Sequence, residues 1–235
     1  MSSPGPSPKP GAASLLPPAP NPGRTLLVCF AVKEEAAPFR NWAGGRPGID
    51  ILLTGMGAAN AERAIRPALA AGKTGLVLSA GFAGGLRPDL ASGTVLFAGD
   101  AAPDLAAALQ SRGALPGRFC HADRVASTAE EKRALRAATG ADAVEMESQI
   151  IGRACRERGI PCAIVRVILD TANENLPLDF NKLMTPDLRL DGARLALQLI
   201  KSPGRIPALM ALRRQSRAVA QELADALAAA ALARP

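Results

Sequence analysis

The chain has 235 residues, 48% of them hydrophobic and 3% aromatic, and 28 basic against 21 acidic side chains give it a net charge of +7. That is enough apolar material for one good core, and no apolar run approaches the roughly 20 residues needed to span a bilayer, so a soluble chain is expected. The absence of tyrosine and the low aromatic content argue against a single-strand nucleic-acid binder, and the lone histidine, His121, excludes a His-based zinc cage by count.

Residues 1–23 are mostly Pro, Gly, Ser and Ala. They lack the apolar content to offset ordering entropy and show no charged segment followed by an apolar one, so they read as a disordered tail and not an export signal. From Thr25 onward, strand-like runs at 26–32, 49–54, 75–80, 94–98 and 162–169 alternate with helical stretches such as 58–71 and 130–138. That alternation predicts an α/β domain over 24–190 with a central mixed sheet flanked by helices. The four cysteines, Cys29, Cys120, Cys155 and Cys162, have no CxxC spacing and read as reduced thiols in a cytoplasmic protein.

Glu34 and Glu35 close the first run, in AVKEEAAPF. They suit either an acidic helix N-terminus or a carboxylate at a strand end that holds or activates a water. Two glycine-rich turns are expected to follow strands. One is Thr54-Gly55-Met56-Gly57; the other, SAGFAGG, carries Gly81, Phe82, Ala83 and Gly84. Each fits a tight connection or a loop that lets backbone approach a ligand. A dinucleotide fingerprint fails at the first, because Asn60 replaces the third glycine and no acid lies about 20 residues beyond.

The stretch 143–170, AVEMESQIIGRACRERGIPCAIVRVILD, is the most informative. Glu145 and Glu147 alternate as on the end of an extended segment, a helical run follows and closes at Gly159, and an almost wholly apolar strand then stops on Asp170. Such a strand belongs to a sheet covered on both faces, where ligands sit beyond the carboxyl ends, so Asp170 stands where a catalytic residue is expected. Arg166 interrupts the strand, and a cation there calls for a buried acidic partner. Over 191–235, Arg194, Lys201, Arg205, Arg213, Arg214 and Arg217 lie between Asp191 and Glu222 with no acid among them. The last helix carries Leu209, Leu212, Val219, Leu223 and Leu227 near one face, so this extension is amphipathic and basic. Its apolar face suits packing on the domain or between subunits, and its arginines suit an anionic membrane surface.

Together, AVKEE, TGMGAANA, SAGFAGGL with its following GTV strand, AVEMES and VRVILD resemble, in order, the purine nucleoside phosphorylase and nucleosidase superfamily, and within it the methylthioadenosine/S-adenosylhomocysteine nucleosidases. The resemblance implies a single-domain phosphorylase/hydrolase-like fold, a homo-oligomer and no metal or organic cofactor. It further implies that Met146 and Glu147 contact ribose, with Glu145 beside them, that Asp170 is the general acid at purine N7, and that Glu35 activates water. Gly57, the segment from Gly81 to Gly84 and, more loosely, Ser127 would line the base or nucleophile pocket. Ser79 and Phe82 stand where the phosphorylases hold phosphate with arginine and serine, which favours hydrolysis over phosphorolysis. Leu169 departs from the serine usual before the aspartate. MESQIIGRA, Leu176-Pro177 and SPGRIPALMALRRQSRAVAQ resemble the narrower hopanoid-associated phosphorylases, or adenosylhopane nucleosidases, which implies a lipid-linked nucleoside as substrate, no nucleic-acid partner, and peripheral contact with the inner membrane surface through Arg213, Arg214 and Arg217. A phosphorolytic enzyme and a non-catalytic nucleoside-binding or membrane-docking protein are the alternatives.

Overall fold

The structure, a computed structural model, describes residues 25–100 and 102–233, and the tail expected over 1–23 lies outside them. In chain order the elements are β1 (Thr25–Phe30), α1 (Lys33–Ala43), β2 (Ile49–Leu53), α2 (Ala58–Ala70), β3 (Thr74–Gly85), β4 (Val95–Gly99), α3 (Pro103–Ser111), β5 (Leu115–Pro116), β6 (Phe119–His121), α4 (Ala129–Thr139), β7 (Ala143–Glu145), α5 (Ser148–Arg156), β8 (Cys162–Asp170), α6 (Phe180–Leu183), α7 (Gly192–Lys201) and α8 (Ile206–Leu232), with a single 3₁₀ turn at Pro203–Arg205 joining the last two. The eight strands form one mixed sheet in the order β2-β1-β3-β8-β4-β5, with β7 pairing β3 and β6 pairing β7. The expected α/β class with a helix-flanked mixed sheet is the observed one.

Alternation along β1 sends Leu26, Val28 and Phe30 to one face of the sheet and Leu27 and Cys29 to the other. The first set packs on Phe39 of α1 and on Leu223 and Leu227 of α8. The second packs on Ile65 and Leu69 of α2 and Ile151 and Ala154 of α5. The apolar stripe read in the last helix is therefore core in its second half: Val219, Leu223 and Leu227 are buried. All four cysteines are free thiols, three of them buried.

Two local expectations are corrected. The glycine-rich segment 79–85 is no turn but the second half of β3, because β8 pairs with it as far as Gly84 and gives its backbone ladder partners. Glu147 is not on an extended segment: β7 ends at Glu145, and Glu147 stands at the N-cap of α5.

One irregularity positions the site. β1 pairs with β3 only up to Cys29–Ser79, and on that same edge β7, running antiparallel, pairs with Gly84 and Gly85. Between these two partners, the stretch of β3 from Ala80 to Ala83 faces a gap in the sheet. The first turn of α1 enters the gap from one side and the end of β7 from the other.

Candidate active site

Glu35 fills part of the gap. Its position in the first turn of α1 folds the carboxylate back onto the helix start, where Oε2 accepts from Ala31 N at 3.0 Å and Val32 N at 3.1 Å. Oε1 accepts from Phe82 N at 2.8 Å, taking the ladder hydrogen bond that a strand would otherwise have supplied. Burial pushes the Glu35 carboxyl up to about 7, with the Glu147 charge adding to the rise and the Phe82 amide and Arg166 opposing it.

Arg166 supplies the cation of the gap and is 1% exposed. β8 sets it opposite Gly81 of β3, and a Cβ on that glycine would lie 2.5 Å from Arg166 Nη1 and 2.9 Å from Glu35 Oε1. Glycine is thus required at 81 for the guanidinium to lie across the strand. Arg166 Nη2 donates to Glu145 Oε2 at 2.6 Å and to Glu147 Oε2 at 3.3 Å. The buried acidic partner expected of Arg166 is this pair.

Glu145 and Glu147 divide into two roles. Glu145 also accepts from Glu147 N at 3.0 Å, Ser148 N at 2.7 Å and Ser148 Oγ at 2.7 Å. Although burial opposes it, Arg166 and the Ser148 donors hold its carboxyl below the usual range, so it is a fixed anion that anchors the guanidinium. Burial raises the pKa of Glu147, against Arg166 and the backbone amides of Gly57, whose N donates to it at 2.8 Å, and Met146. The spare lone pairs of Glu147 make it the carboxylate here able to receive hydroxyl donors. Met146, between them in sequence, has its Cε 3.9 Å from where a Gly57 Cβ would stand.

Asp170 ends β8 four residues beyond Arg166, about 13 Å along the strand. A register shift in the β3–β8 pairing falls just before it, so Gly84 faces Asp170 and Leu169 is the extra residue. The Leu169 carbonyl, released from the ladder, accepts from Ser92 Oγ at 2.9 Å and from Gln215 Nε2 of α8 at 2.7 Å. Asp170 is buried, which raises its pKa, while an ion pair with Lys132 pulls it down.

Lys132 is the residue that sequence reasoning missed. It lies on α4, is 0% exposed, and besides Asp170 its ammonium donates to the carbonyls of Thr171 at 2.7 Å and Glu174 at 2.9 Å. Within the run EEKR it looks like part of a solvated helix face. The available signal was spacing: Lys132 falls on the same helical stripe as Leu135 and the capping Thr128. Ser127 precedes that cap, and its carbonyl accepts from Leu176 N at 2.8 Å, which ties the loop after β8 to the start of α4. Among the described residues, no group of three or more His, Cys, Asp and Glu side chains is arranged to hold a metal ion.

The arrangement offers one pole with a sugar-sized set of acceptors and a near-neutral carboxyl, and a second pole with a dry carboxyl backed by lysine. Residues 45–116 and 103–201 match the family model of the phosphorylase superfamily. The chain belongs to the phosphorylase superfamily. Solved structures sharing this superfamily fold include the futalosine hydrolase of Helicobacter pylori strain 26695, 18% identical over 88% of this chain and 97% of that one, with a TM-score of 0.66. The 5′-methylthioadenosine/S-adenosylhomocysteine nucleosidase of Helicobacter pylori with butyl-thio-DADMe-Immucillin-A is 17% identical over 89% and 98% of the chains, with a TM-score of 0.67. The corresponding nucleosidase of Neisseria meningitidis, in complex with methylthio-immucillin-A, is 18% identical over 87% and 98%, with a TM-score of 0.59. At these identities the likeness is one of fold.

Proposed function

We propose that the protein is a nucleosidase that hydrolyses the N-glycosidic bond of a 5′-substituted adenosine and releases adenine. The observation that carries this reading is that two buried carboxyls meet the β3–β8 strand pair: Glu35 of α1, lifted to about 7 with a lone pair of Oε1 still free, at Phe82, and Asp170 opposite Gly84. Glu147 accepts the ribose hydroxyls and Met146 lies under the sugar. As the C1′–N9 bond breaks, its electron pair leaves with the base, and Asp170 delivers a proton to N7. Water bonds to C1′ and gives its proton to Glu35. Positive charge developing on the sugar is met by the carboxylates of the gap.

Water is favoured over phosphate by charge. Glu35, Glu145 and Glu147 surround one guanidinium that is already committed to two of them, so a phosphate dianion would find no free cation and three repelling groups. For the 5′ substituent we favour the hopanoid chain of adenosylhopane, supported by the resemblance of 146–154 and 202–221, and on that reading the product is a ribosyl hopanoid.

The test is a mass-spectrometric product assay on the purified protein with adenosylhopane or a short 5′-alkyl adenosine, with and without inorganic phosphate. Adenine and an unphosphorylated ribosyl product in the absence of phosphate is the expected result. Strict phosphate dependence with a 1-phosphorylated sugar would make the protein a phosphorylase, and binding without base release would make it a nucleoside-binding protein.

A further inference from the structure

Five of the eight large hydrophobic side chains exposed among the described residues fall in one short stretch: Leu190, Leu197, Ile200, Ile206 and Met210. Leu197 is 53% exposed, Ile200 77% and Met210 61%. α7 has no buried residue in its ten, yet its apolar positions gather on one side of the helix. A helix of this kind either has a partner or lies at an interface.

On α8, Ile206, Met210, Arg213, Arg214 and Arg217 follow at spacings of three and four and so share one stripe, exposed over these first turns and set to one side of Leu209 and Leu212, which are half-buried. This exposed stripe is apolar at its start and basic beyond. Lys201, Arg213, Arg214 and Arg217 have no ion-pair partner among the described residues. An apolar patch rimmed by unneutralised cations is complementary to a surface with anionic heads over apolar chains. A protein partner of ordinary composition would have to bring a dense acidic rim to match it.

The same segment reaches the sugar pole. Just before α7, the chain makes a tight hairpin in which Met184 bridges Leu190 and Asn60 Nδ2 donates to the Asp187 carbonyl at 2.8 Å. Leu188, at a φ of 54°, lies so close over Gly57 that a Cβ there would collide with it. Gly57 is the residue whose amide holds Glu147.

We infer that α7 and the first turns of α8 form a docking face for an anionic lipid surface, with Leu197, Ile200, Ile206 and Met210 entering the head-group region and Lys201, Arg213, Arg214 and Arg217 on the heads. The face goes beyond the nucleosidase reading and does not need it, although it would bring the sugar pole to a 5′ chain held in a bilayer.

The experiment is co-sedimentation of the full chain with phosphatidylcholine vesicles with and without phosphatidylglycerol, at low and high salt. The wild type should partition onto the phosphatidylglycerol vesicles and release as salt rises. Leu197→Asp with Ile200→Asp should lower partitioning about tenfold or more while leaving circular dichroism and adenine release from a soluble nucleoside unchanged. Arg213→Glu with Arg214→Glu should remove the dependence on phosphatidylglycerol. No preference of the wild type for anionic vesicles, or undiminished binding by the aspartate variant, overturns the inference. So does a stable dimer that the aspartate substitutions split in analytical ultracentrifugation without any vesicle binding, since the face is then a contact between copies of this chain. Vesicle binding without base release from any nucleoside would leave the docking face standing and remove the nucleosidase reading.

Discussion

Glu35 and Asp170 are both buried carboxyls, and what separates them is the company each keeps. Glu35 is surrounded by backbone donors and other acids and sits near neutrality, which suits the base of the proposed reaction. A base must be ionised, so kcat/KM for adenine release should fall as pH drops through about 7. In Glu35→Gln that limb should vanish and turnover should fall about 10²–10⁴-fold. In the proposed reaction Asp170 must instead carry a proton, and the charges that bear on it are Lys132 from α4 and Glu174 from the loop after β8. Lys132 lowers its pKa, so Lys132→Met should move the limb belonging to Asp170 to higher pH, whereas a purely structural lysine would change the amplitude and melting temperature but leave the limb in place. Both variants are read from pH–rate profiles on a soluble 5′-alkyl adenosine.

At the scale of elements, the site depends on the sheet's incompleteness. The gap along β3 between the end of β1 and the start of β7 lets a carboxylate take a strand's hydrogen bond, and Gly81 lets Arg166 reach it through the sheet. Gly81→Ala should therefore cost about 1–3 kcal/mol in urea denaturation through overpacking and lower adenine release about 100-fold by displacing Arg166 and Glu35. Retained activity in this variant would mean that the guanidinium has room to move. How far the sequence revealed this differs by element. β1, β2, β4 and β8 were legible because apolar runs bounded by turn residues are sheet signals, and Asp170 followed from the abrupt end of the last. The continuation of β3 through 79–85 was not, since glycine signals turns and only pairing with β8 overrides that preference. β5, β6 and β7 have two or three residues each, too few for any period to show. Lys132 was hidden because a lysine among glutamates looks solvated until its neighbours in space are known.

For the whole molecule, the C-terminal extension proves to be two different things. The second half of α8 is core, with Val219, Leu223 and Leu227 buried against α1 and the sheet, while α7 and the start of α8 stand outside it. Burial of those three side chains contributes roughly 5–9 kcal/mol, comparable to a whole domain's stability of about 5–15 kcal/mol. A chain ending at Ala218 should therefore be unfolded by circular dichroism, and a folded truncation would show that the sheet is stable uncovered. The strand order carries a further consequence, for synthesis. β3 and β4 are neighbours in sequence but not in the sheet, because β8 lies between them. While the chain emerges from the ribosome, β3 and β4 must wait with unpaired edges until residues 162–170 are made, an interval of several seconds at about 5–20 residues per second. During that interval the nascent chain exposes two apolar edges with no partner, and its vulnerability to aggregation is set by how soon β8 arrives to close them.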